Sequence, residues 1–511
     1  MAFEKQIEEL EARQAKARAM GSPKRLAERK AAGILNARER VARLADDGSF
    51  RESGLLAISA RPEQKDKSPA DGMISGYGRV GGRLAGINAS DFTTLGASSA
   101  ATLGRKQAKI KNDCFKNGLP LIQLMECAGG RIPDIMGAAG IGGAGEGGAL
   151  NRYSRIRTSP ALAGVMGLTY GGGAFNCINS DFVVQRKGAV LAVSSQMVTS
   201  VALSEEIDPE ELGGWKLHTQ TGLVDAVADT DEEAIDNLKR FLSYMPDHAG
   251  KRPPAAPVPA NAEDAIKNIL DVVPESRART YDIRAAIEAI VDPGSFMALK
   301  ERFAKVAVTG LGRVGGEVVG LIASNPKFKG GALDADACDK ITGFIVLCDS
   351  FNIPIVFLAD TPGFLVGLES EKKRLPGKIM NYMMALELAT VPKIALILRK
   401  SFGQAYLNMG GGKSDHTATW MSGEISFMDP AVAVNIVYAT REAADPERYK
   451  DLVREVAKDT TAYDLAAPYL AQEVIDPRET RRYISDMLAV NCRNLSGGIG
   501  EHRLANWPPA Y

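Results

Sequence analysis

The chain contains itself twice, and that duplication limits its fold more than any other feature. Residues 71–90 read DGMISGYGRVGGRLAGINAS and residues 306–324 read VAVTGLGRVGGEVVGLIAS, sharing G-x-GRVGG from Gly76 to Gly82 and from Gly310 to Gly316. Each copy follows an acidic, Gly-Ser-Phe turn, Asp47-Gly48-Ser49-Phe50 or Asp292-Pro293-Gly294-Ser295-Phe296. Each precedes a Lys-bearing helical stretch and then an Asn-x-x-Pro or Asn-x-Pro entry to an apolar strand, at Asn117–Ile122 and Asn352–Val356. A period of roughly 230 residues is a duplicated domain, since solenoid repeats run about 20–50 residues. The Pro-rich stretch around residues 251–261 falls between the copies and reads as an extended linker. It divides the chain into residues 1–250 and 262–511.

Within each half, short apolar runs alternate with helical spacing. Leu119–Met125, Pro354–Ala359 and Pro392–Leu398 read as buried strands, Gly377–Thr390 and Thr230–Tyr244 as helices. That alternation predicts an α/β fold in each half. Both GRVGG segments match the G-x-G-x-x-G dinucleotide fingerprint, which requires a helix after the glycines. Here the following residues, Leu84–Ile87 and Val318–Ile322, are strand-like, so each segment predicts a β-hairpin. Gly410–Ser414 resembles a phosphate loop but has Leu407 where that motif needs Gly, and reads as a mobile loop.

Lys+Arg and Asp+Glu balance at 62 each, which gives no overall basic excess for nucleic acid. No apolar run approaches the ~20 residues needed to span a membrane. The charged N-terminus lacks a signal-peptide core, and the six cysteines form no C-x-x-C pair, so the expectation is a cytoplasmic protein without a zinc site or disulfide framework. His218, His248, His416 and His502 are scattered and form no H-x-x-x-H pair, giving neither a metal site nor a triad from spacing.

The chemistry is expected at two Gly/Ala turns, Gly171–Ala174 after the strand Leu162–Leu168 and Gly403–Ala405 after Ile394–Leu398. If a helix starts after each turn, its first amide N–H groups lack intrahelical acceptors and can stabilise a developing oxyanion without a side-chain nucleophile.

At these residues the chain resembles the β, or carboxyltransferase, subunits of biotin-dependent acyl-CoA carboxylases, the propionyl-CoA and methylcrotonyl-CoA carboxylase group. The resemblance rests on Ala37-Arg38-Glu39-Arg40, Gly172-Gly173-Ala174, Glu211–His218, Asp360-Thr361-Pro362-Gly363-Phe364 and Gly403-Gln404-Ala405-Tyr406, in order and nearly end to end. It implies two tandem crotonase-like (ClpP-like) domains, the first holding acyl-CoA and the second biotin. It also implies a homohexamer built as a trimer of dimers, with each site between the N domain of one subunit and the C domain of another. The implied reaction passes a carboxyl group from carboxybiotin to an acyl-CoA enolate. Two oxygens gain negative charge, matched by one hole on Gly172 and Gly173 and another on Gln404 and Ala405.

Substrate contacts are expected from Gly129, Gly130, Arg131, Ala174 and Leu407, with Arg131 either meeting CoA phosphate or lying plainly on the surface. Biotin contacts are expected from Pro362, Gly363, Phe364 and Tyr406. Leu407 stands where many short-chain relatives carry Asp, which favours a different or larger acyl group. Gln404 stands where Gly is usual, and the Gly-rich Ile132–Leu150 reads as a lid or surface loop. With no Met-Lys-Met site, no ATP-grasp loop and no zinc ribbon, the chain needs a biotin carboxylase and a biotin carrier as partners. The competing readings are a decarboxylase subunit running in reverse, a biotin-free hydratase or isomerase using Glu126 as acid, and a non-catalytic scaffold.

Overall fold

The computed structural model describes residues 3–143 and 156–508. The chain forms two compact units, Met1–Gly250 and Lys251–Tyr511. The first unit holds an eight-stranded sheet built from β1 (Arg51–Ser53), β2 (Met73–Val80), β3 (Arg83–Ser90), β4 (Leu121–Cys127), β5 (Ala161–Tyr170), β6 (Phe182–Arg186), β7 (Val190–Ala192) and β8 (Ala226–Ala228). The second repeats it with β9 (Met297–Leu299), β10 (Ala307–Val314), β11 (Glu317–Ser324), β12 (Ile355–Thr361), β13 (Lys393–Phe402), β14 (His416–Trp420), β15 (Glu424–Ser426) and β16 (Glu473–Ile475).

The spatial orders are β1-β2-β3-β4-β5-β6-β8 with β7 beside β5, and β9-β10-β11-β12-β13-β14-β16 with β15 beside β13. The sheets match strand for strand. In each, an antiparallel hairpin feeds a parallel series, and the parallel strands β4 and β12 are buried along their whole length, as strands covered on both faces must be.

Both Gly-rich segments are hairpins. Gly81 and Gly82 turn with φ of 58° and 78°, Gly315 and Gly316 with 60° and 82°, the positive pair that a two-residue turn requires. A carboxylate fastens each turn: Asp46 accepts from the Gly81 and Gly82 amides at 2.9 and 2.7 Å, and Asp292 from Gly315 and Gly316 at 3.1 and 2.8 Å. Asp46, rather than Asp47, is therefore the physical counterpart of Asp292. Behind the hairpins, Cys114 and Cys348 fill the notches left by Gly86 and Gly320, where a Cβ would sit 2.2 and 2.5 Å from sulfur. The cysteines are buried packing groups, and burial pushes the Cys114 thiol up to about 12.

The helices Ala101–Asn117 and Ala335–Ser350 carry lysines at matching positions, Lys106 half-buried and Lys340 buried. Lys106 Nζ donates to the Ala70 and Met73 carbonyls, and Lys340 Nζ to Phe303 O and Ala307 O at 2.9 and 2.7 Å. Those ammonium groups tie the helix to the edge of the hairpin in each unit.

Residues 251–259 run extended but are not a free tether. Lys251 O accepts from Asn352 Nδ2 at 2.8 Å, Pro254 O from Arg313 Nη1 at 2.7 Å, and the Ala256 amide donates to Gly316 O at 3.0 Å. Gly410–Ser414 is likewise no loose loop. The Lys413 and Ser414 amides donate to Gly410 O at 3.1 and 3.0 Å, and Lys413 pairs with Glu387. Of the Gly-rich Ile132–Leu150, the described part holds the short helices Ile132–Ile135 and Gly137–Gly143, and residues 144–150 lie outside the described residues.

Candidate active site

Each unit makes the same turn at the end of its central parallel strand. After β5, Gly171 adopts φ 57° and ψ −123°, its amide donates to Ala192 O of β7 at 3.1 Å, and the helix Gly172–Ile178 begins. After β13, Gly403 adopts φ 61° and ψ −148°, its amide donates to Ser426 O of β15 at 2.9 Å, and the helix Gln404–Asn408 begins. Positive φ with this ψ is open to glycine and almost nothing else.

The first bonds inside these helices come later in sequence, Phe175 N–H to Gly171 O and Tyr406 N–H to Gly403 O, both at 3.0 Å. The amides of Gly172, Gly173, Gln404 and Ala405 have no acceptor among the described residues. Each unit thus offers two adjacent unused N–H donors on a rigid turn, the elementary requirement of an oxyanion hole. Gly173 has a second constraint: a Cβ there would lie 2.6 Å from Cys127 Cβ, so the helix start packs directly on the end of β4. Ala174 and Ala405 are buried, whereas Tyr406 and Leu407 are half-buried.

The loops after β4 and β12 also match. Gly129 has φ 98° and Gly363 has φ 128°. Gly129 O accepts from Ser99 N–H at 2.8 Å and Gly363 O from Leu333 N–H at 3.0 Å, giving parallel bridges Ser99↔Gly130 and Leu333↔Phe364. Gly129 and Gly130 therefore sit beside Cys127 and the first donor pair. Pro362, exposed, and Gly363 and Phe364, half-buried, lie on the corresponding loop of the second unit.

Arg131 does not lie on the surface. It is 4% exposed, with Nη1 2.7 Å from Asp71 Oδ1 and Nε and Nη2 on the Ser98 hydroxyl and carbonyl at 3.2 and 3.1 Å. Its charge is paired inside the fold, so it is no surface group, and it fastens the loop to Asp71 and Ser98.

Glu126 is also committed. Arg29 and Arg40 donate to Oε1 at 2.7 and 2.9 Å, and Arg40 Nε continues to Asp231 Oδ2 at 2.8 Å. Burial alone would raise the Glu126 carboxyl, but the two guanidiniums overturn that and hold it below the usual carboxylate range. A carboxylate kept ionised in this way is no acid for a hydratase, which removes the basis of that reading. His218 is likewise structural: burial lowers its pKa, and Nε2 donates to Leu191 O of β7 at 2.7 Å.

A cleft of about 1080 Å³ opens in the first unit. Arg13, Lys16 and Arg25 of the N-terminal helices and Lys65 and Lys67, against the one carboxylate Asp66 that pairs with Lys16, give it a net basic lining. Leu56, Phe92, Gly96 and Ala128 give it an apolar floor. Ala128 adjoins Cys127, so the cleft leads along the chain to the first donor pair. None of these basic residues carries a motif, and only the tertiary approach of residues 13–25 to residues 65–67 gathers them. Among the described residues no group of His, Cys, Asp and Glu could hold a metal ion, and no helix is long and apolar enough to cross a membrane.

This geometry agrees with what the chain is similar to. Residues 28–499 match the carboxyl transferase domain. The propionyl-CoA carboxylase carboxyltransferase subunit of Haloferax mediterranei is 33% identical, the alignment covering 98% of this chain and 99% of that one. The methylmalonyl-CoA decarboxylase subunit alpha of Veillonella parvula is 31% identical over 95% of this chain and 96% of its own. The crystal structure of the transcarboxylase 12S hexamer superposes with a TM-score of 0.88 at 30% identity, covering 96% of each chain. Duplicated sheets, duplicated donor turns and full-length similarity lead to one conclusion: the chain belongs to the carboxyl transferase domain family.

Proposed function

We propose that the chain is the carboxyltransferase component of a biotin-dependent acyl-CoA carboxylase, with Gly172 and Gly173 forming one oxyanion hole and Gln404 and Ala405 the other. The observation that carries this reading is the pair of matched turns, each with two amide donors that have no acceptor among the described residues. Biotin supplies a ureido nitrogen that carries the carboxyl group, delivered on a carrier by a partner that also holds the biotin carboxylase. The donors of Gly172 and Gly173 would take the thioester oxygen as charge develops on it, with the ureido nitrogen, once freed of its carboxyl group, as the base for the α-proton. Fixed donors need no reorganisation at that moment, and each is worth a factor of about 10²–10³ in rate.

The first unit suits the acyl-CoA. Its basic cleft matches the phosphates of CoA, and Gly129, Gly130 and Ala174 are assigned to the thioester end of the substrate. Leu407 adds an apolar wall that favours a larger acyl group than a carboxylate there would admit. Pro362, Gly363, Phe364 and Tyr406 receive the biotin.

The catalytic assembly is a homohexamer, a trimer of dimers. Two apolar faces support self-association. Val193, Met197 and Val201 are 74%, 75% and 77% exposed on the first unit, and Phe427, Ile436 and Val437 are 81%, 63% and 69% exposed at related positions of the second. Patches of this kind on a folded unit mark interaction surfaces. Six unpaired thiols fit a reducing cytoplasm.

The test is the half-reaction on the purified chain. Free biocytin is offered with malonyl-, methylmalonyl-, ethylmalonyl- and methylglutaconyl-CoA, and loss of each carboxyl group is followed by mass spectrometry. Biocytin-dependent decarboxylation, greatest for an acyl group larger than malonyl, is expected. No biocytin-dependent turnover of any thioester, with CoA binding intact, overturns the proposal.

A further inference from the structure

The second unit carries a cavity of about 320 Å³ bounded by β9, β10 and the helix Ala335–Ser350. Its charge differs from that of the matching place in the first unit. Strand pairing puts Ala298 opposite Gly310 where Glu52 stands opposite Gly76. Lys305 lies two residues before β10 where Asp71 lies two residues before β2, and Arg284 and Lys340 match Arg38 and Lys106.

In the first unit this ionic set is closed. Arg38 donates to both oxygens of Glu52 at 2.8 and 3.3 Å, the charges of Glu52 and Asp71 act on Lys106, and Asp71 also holds Arg131. In the second unit both carboxylates are gone, one replaced by alanine and the other by a further cation. Arg284 makes up its loss locally, pairing with Asp282 and Glu301, and Asp334 is taken by Lys329. No carboxylate among the described residues pairs with Lys305, whose ammonium sits 5.7 Å from the centre of the Phe328 ring. Lys340 is 4% exposed and lines the cavity. Its Nζ donates to Phe303 O and Ala307 O, which leaves the third N–H of the ammonium without an acceptor among the described residues. Arg302 adds another cation to the lining, and the one carboxylate there, Glu301, is already held by Arg284.

We infer that this cavity is a binding site for a small molecule bearing a phosphate or diphosphate group, whose charge stands in for the missing carboxylates and meets Lys305 and the third N–H of Lys340. A phosphate puts two charges and several acceptor oxygens on one compact head, which suits cations gathered around one small cavity. The Phe328 ring leaves an apolar wall for the rest of the molecule. The site lies in the second unit, whereas the basic cleft assigned to CoA lies in the first.

The experiment is a calorimetric titration of the full chain with pyrophosphate at about pH 6, where Lys340 is protonated. Wild type is compared with Ala298→Glu/Lys305→Asp, which gives the second unit the carboxylates of the first. Ala298 is half-buried and Lys305 exposed, so both new side chains have room. Wild type should show a pyrophosphate binding event that the double variant lacks or makes at least about tenfold weaker, the loss of hydrogen bonds to a charged group. The double variant should bind CoA within about twofold of wild type, since the first unit is untouched. Lys305→Met, at the exposed mouth of the cavity, should weaken the same event about twofold to fivefold without disturbing the core. Identical pyrophosphate isotherms in wild type and the double variant place the anion elsewhere and overturn the inference, as does absence of binding by the wild type. CoA affinity that falls in parallel with pyrophosphate affinity assigns the lost event to the first unit and also overturns it. If the double variant does not fold, a Lys305→Met isotherm identical to that of wild type overturns it alone.

Discussion

Arg131 is the residue whose role changed most between sequence and structure, and the change can be measured. Its guanidinium and the Asp71 carboxylate are 4% and 0% exposed and 2.7 Å apart. Removing one partner of such a pair leaves a buried charge and costs about 3–5 kcal/mol. In Arg131→Met, Asp71 would keep only the Leu103 amide, now at 2.9 Å from Oδ2. Adding Asp71→Asn removes the stranded charge while an amide oxygen still serves Leu103. Residue 71 has φ 48°, a conformation Asn adopts more readily than most residues, so the change adds little strain.

The double variant should therefore recover most of the loss. It should retain a deficit of about 1–2 kcal/mol from the abandoned Ser98 hydrogen bonds. Urea midpoints at one fixed protein concentration give the stabilities, and the double-mutant cycle gives the coupling. CoA binding by calorimetry decides the role: the recovered double variant should bind CoA within about twofold of wild type, since a clamp makes no ligand contact. A double variant as stable as expected that binds CoA more than about tenfold weaker would refute the clamp and return Arg131 to the ligand.

Two further outcomes follow from the buried charges. Burial lowers Lys340 to about 7 and Lys106 to about 8. Because the folded pKa of Lys340 lies below its unfolded value, the unfolded chain binds more protons between about pH 7 and pH 10, and stability rises with pH there, by up to about 1.4 kcal/mol per unit for each lysine. Urea titrations at pH 7 and pH 9 should show a smaller rise in Lys340→Met than in wild type; an unchanged gradient would mean that Lys340 titrates normally. Glu126→Gln takes the carboxylate from Arg29 and leaves Arg40 with Asp231 alone, and should cost about 3–5 kcal/mol while the half-reaction rate per folded molecule stays close to wild type. Loss of turnover in a variant with an unshifted thermal midpoint would instead make Glu126 a catalytic acid.

How much of this was legible follows from the range of each interaction. The hairpins were readable because Gly81-Gly82 and Gly315-Gly316 are local turn chemistry followed by strand-forming residues, whatever fingerprint they imitate. The donor turns were readable because a glycine must stand between β5 or β13 and its helix, and the family resemblance fell on the same residues. Arg131 was not readable, because its partner Asp71 lies 60 residues away and an arginine beside two glycines looks like a ligand contact. The basic cleft was hidden for the same reason, since Arg13, Lys16 and Lys67 are ordinary surface residues until the chain folds. Asp46 and Asp47 are indistinguishable in sequence; only the hairpin amides show which one matches Asp292. Gly410–Ser414 misled in the opposite direction, since its glycine-rich composition was overruled by the Gly410 carbonyl, which accepts from the Lys413 and Ser414 amides.

The duplication itself carries the last step. Positions that agree between the copies serve the frame: Gly86 with Gly320 against Cys114 and Cys348, Lys106 with Lys340, Asp46 with Asp292, Gly171 with Gly403. Positions around the donor turns differ: Gly172 corresponds to Gln404, Phe175 to Leu407, and the Arg131–Asp71 pair to Leu365 and Lys305. A frame needs the same contacts twice because it is the same fold twice. A site that handles two unlike ligands needs the same donors twice, because both ligands develop charge on oxygen, but it needs different side chains around them. Matched amide pairs with unlike side chains around them are what such a division of labour leaves in a duplicated chain. It also predicts where substrate selectivity will respond to mutation: at Leu407 and Gln404, and not at the paired residues of the frame.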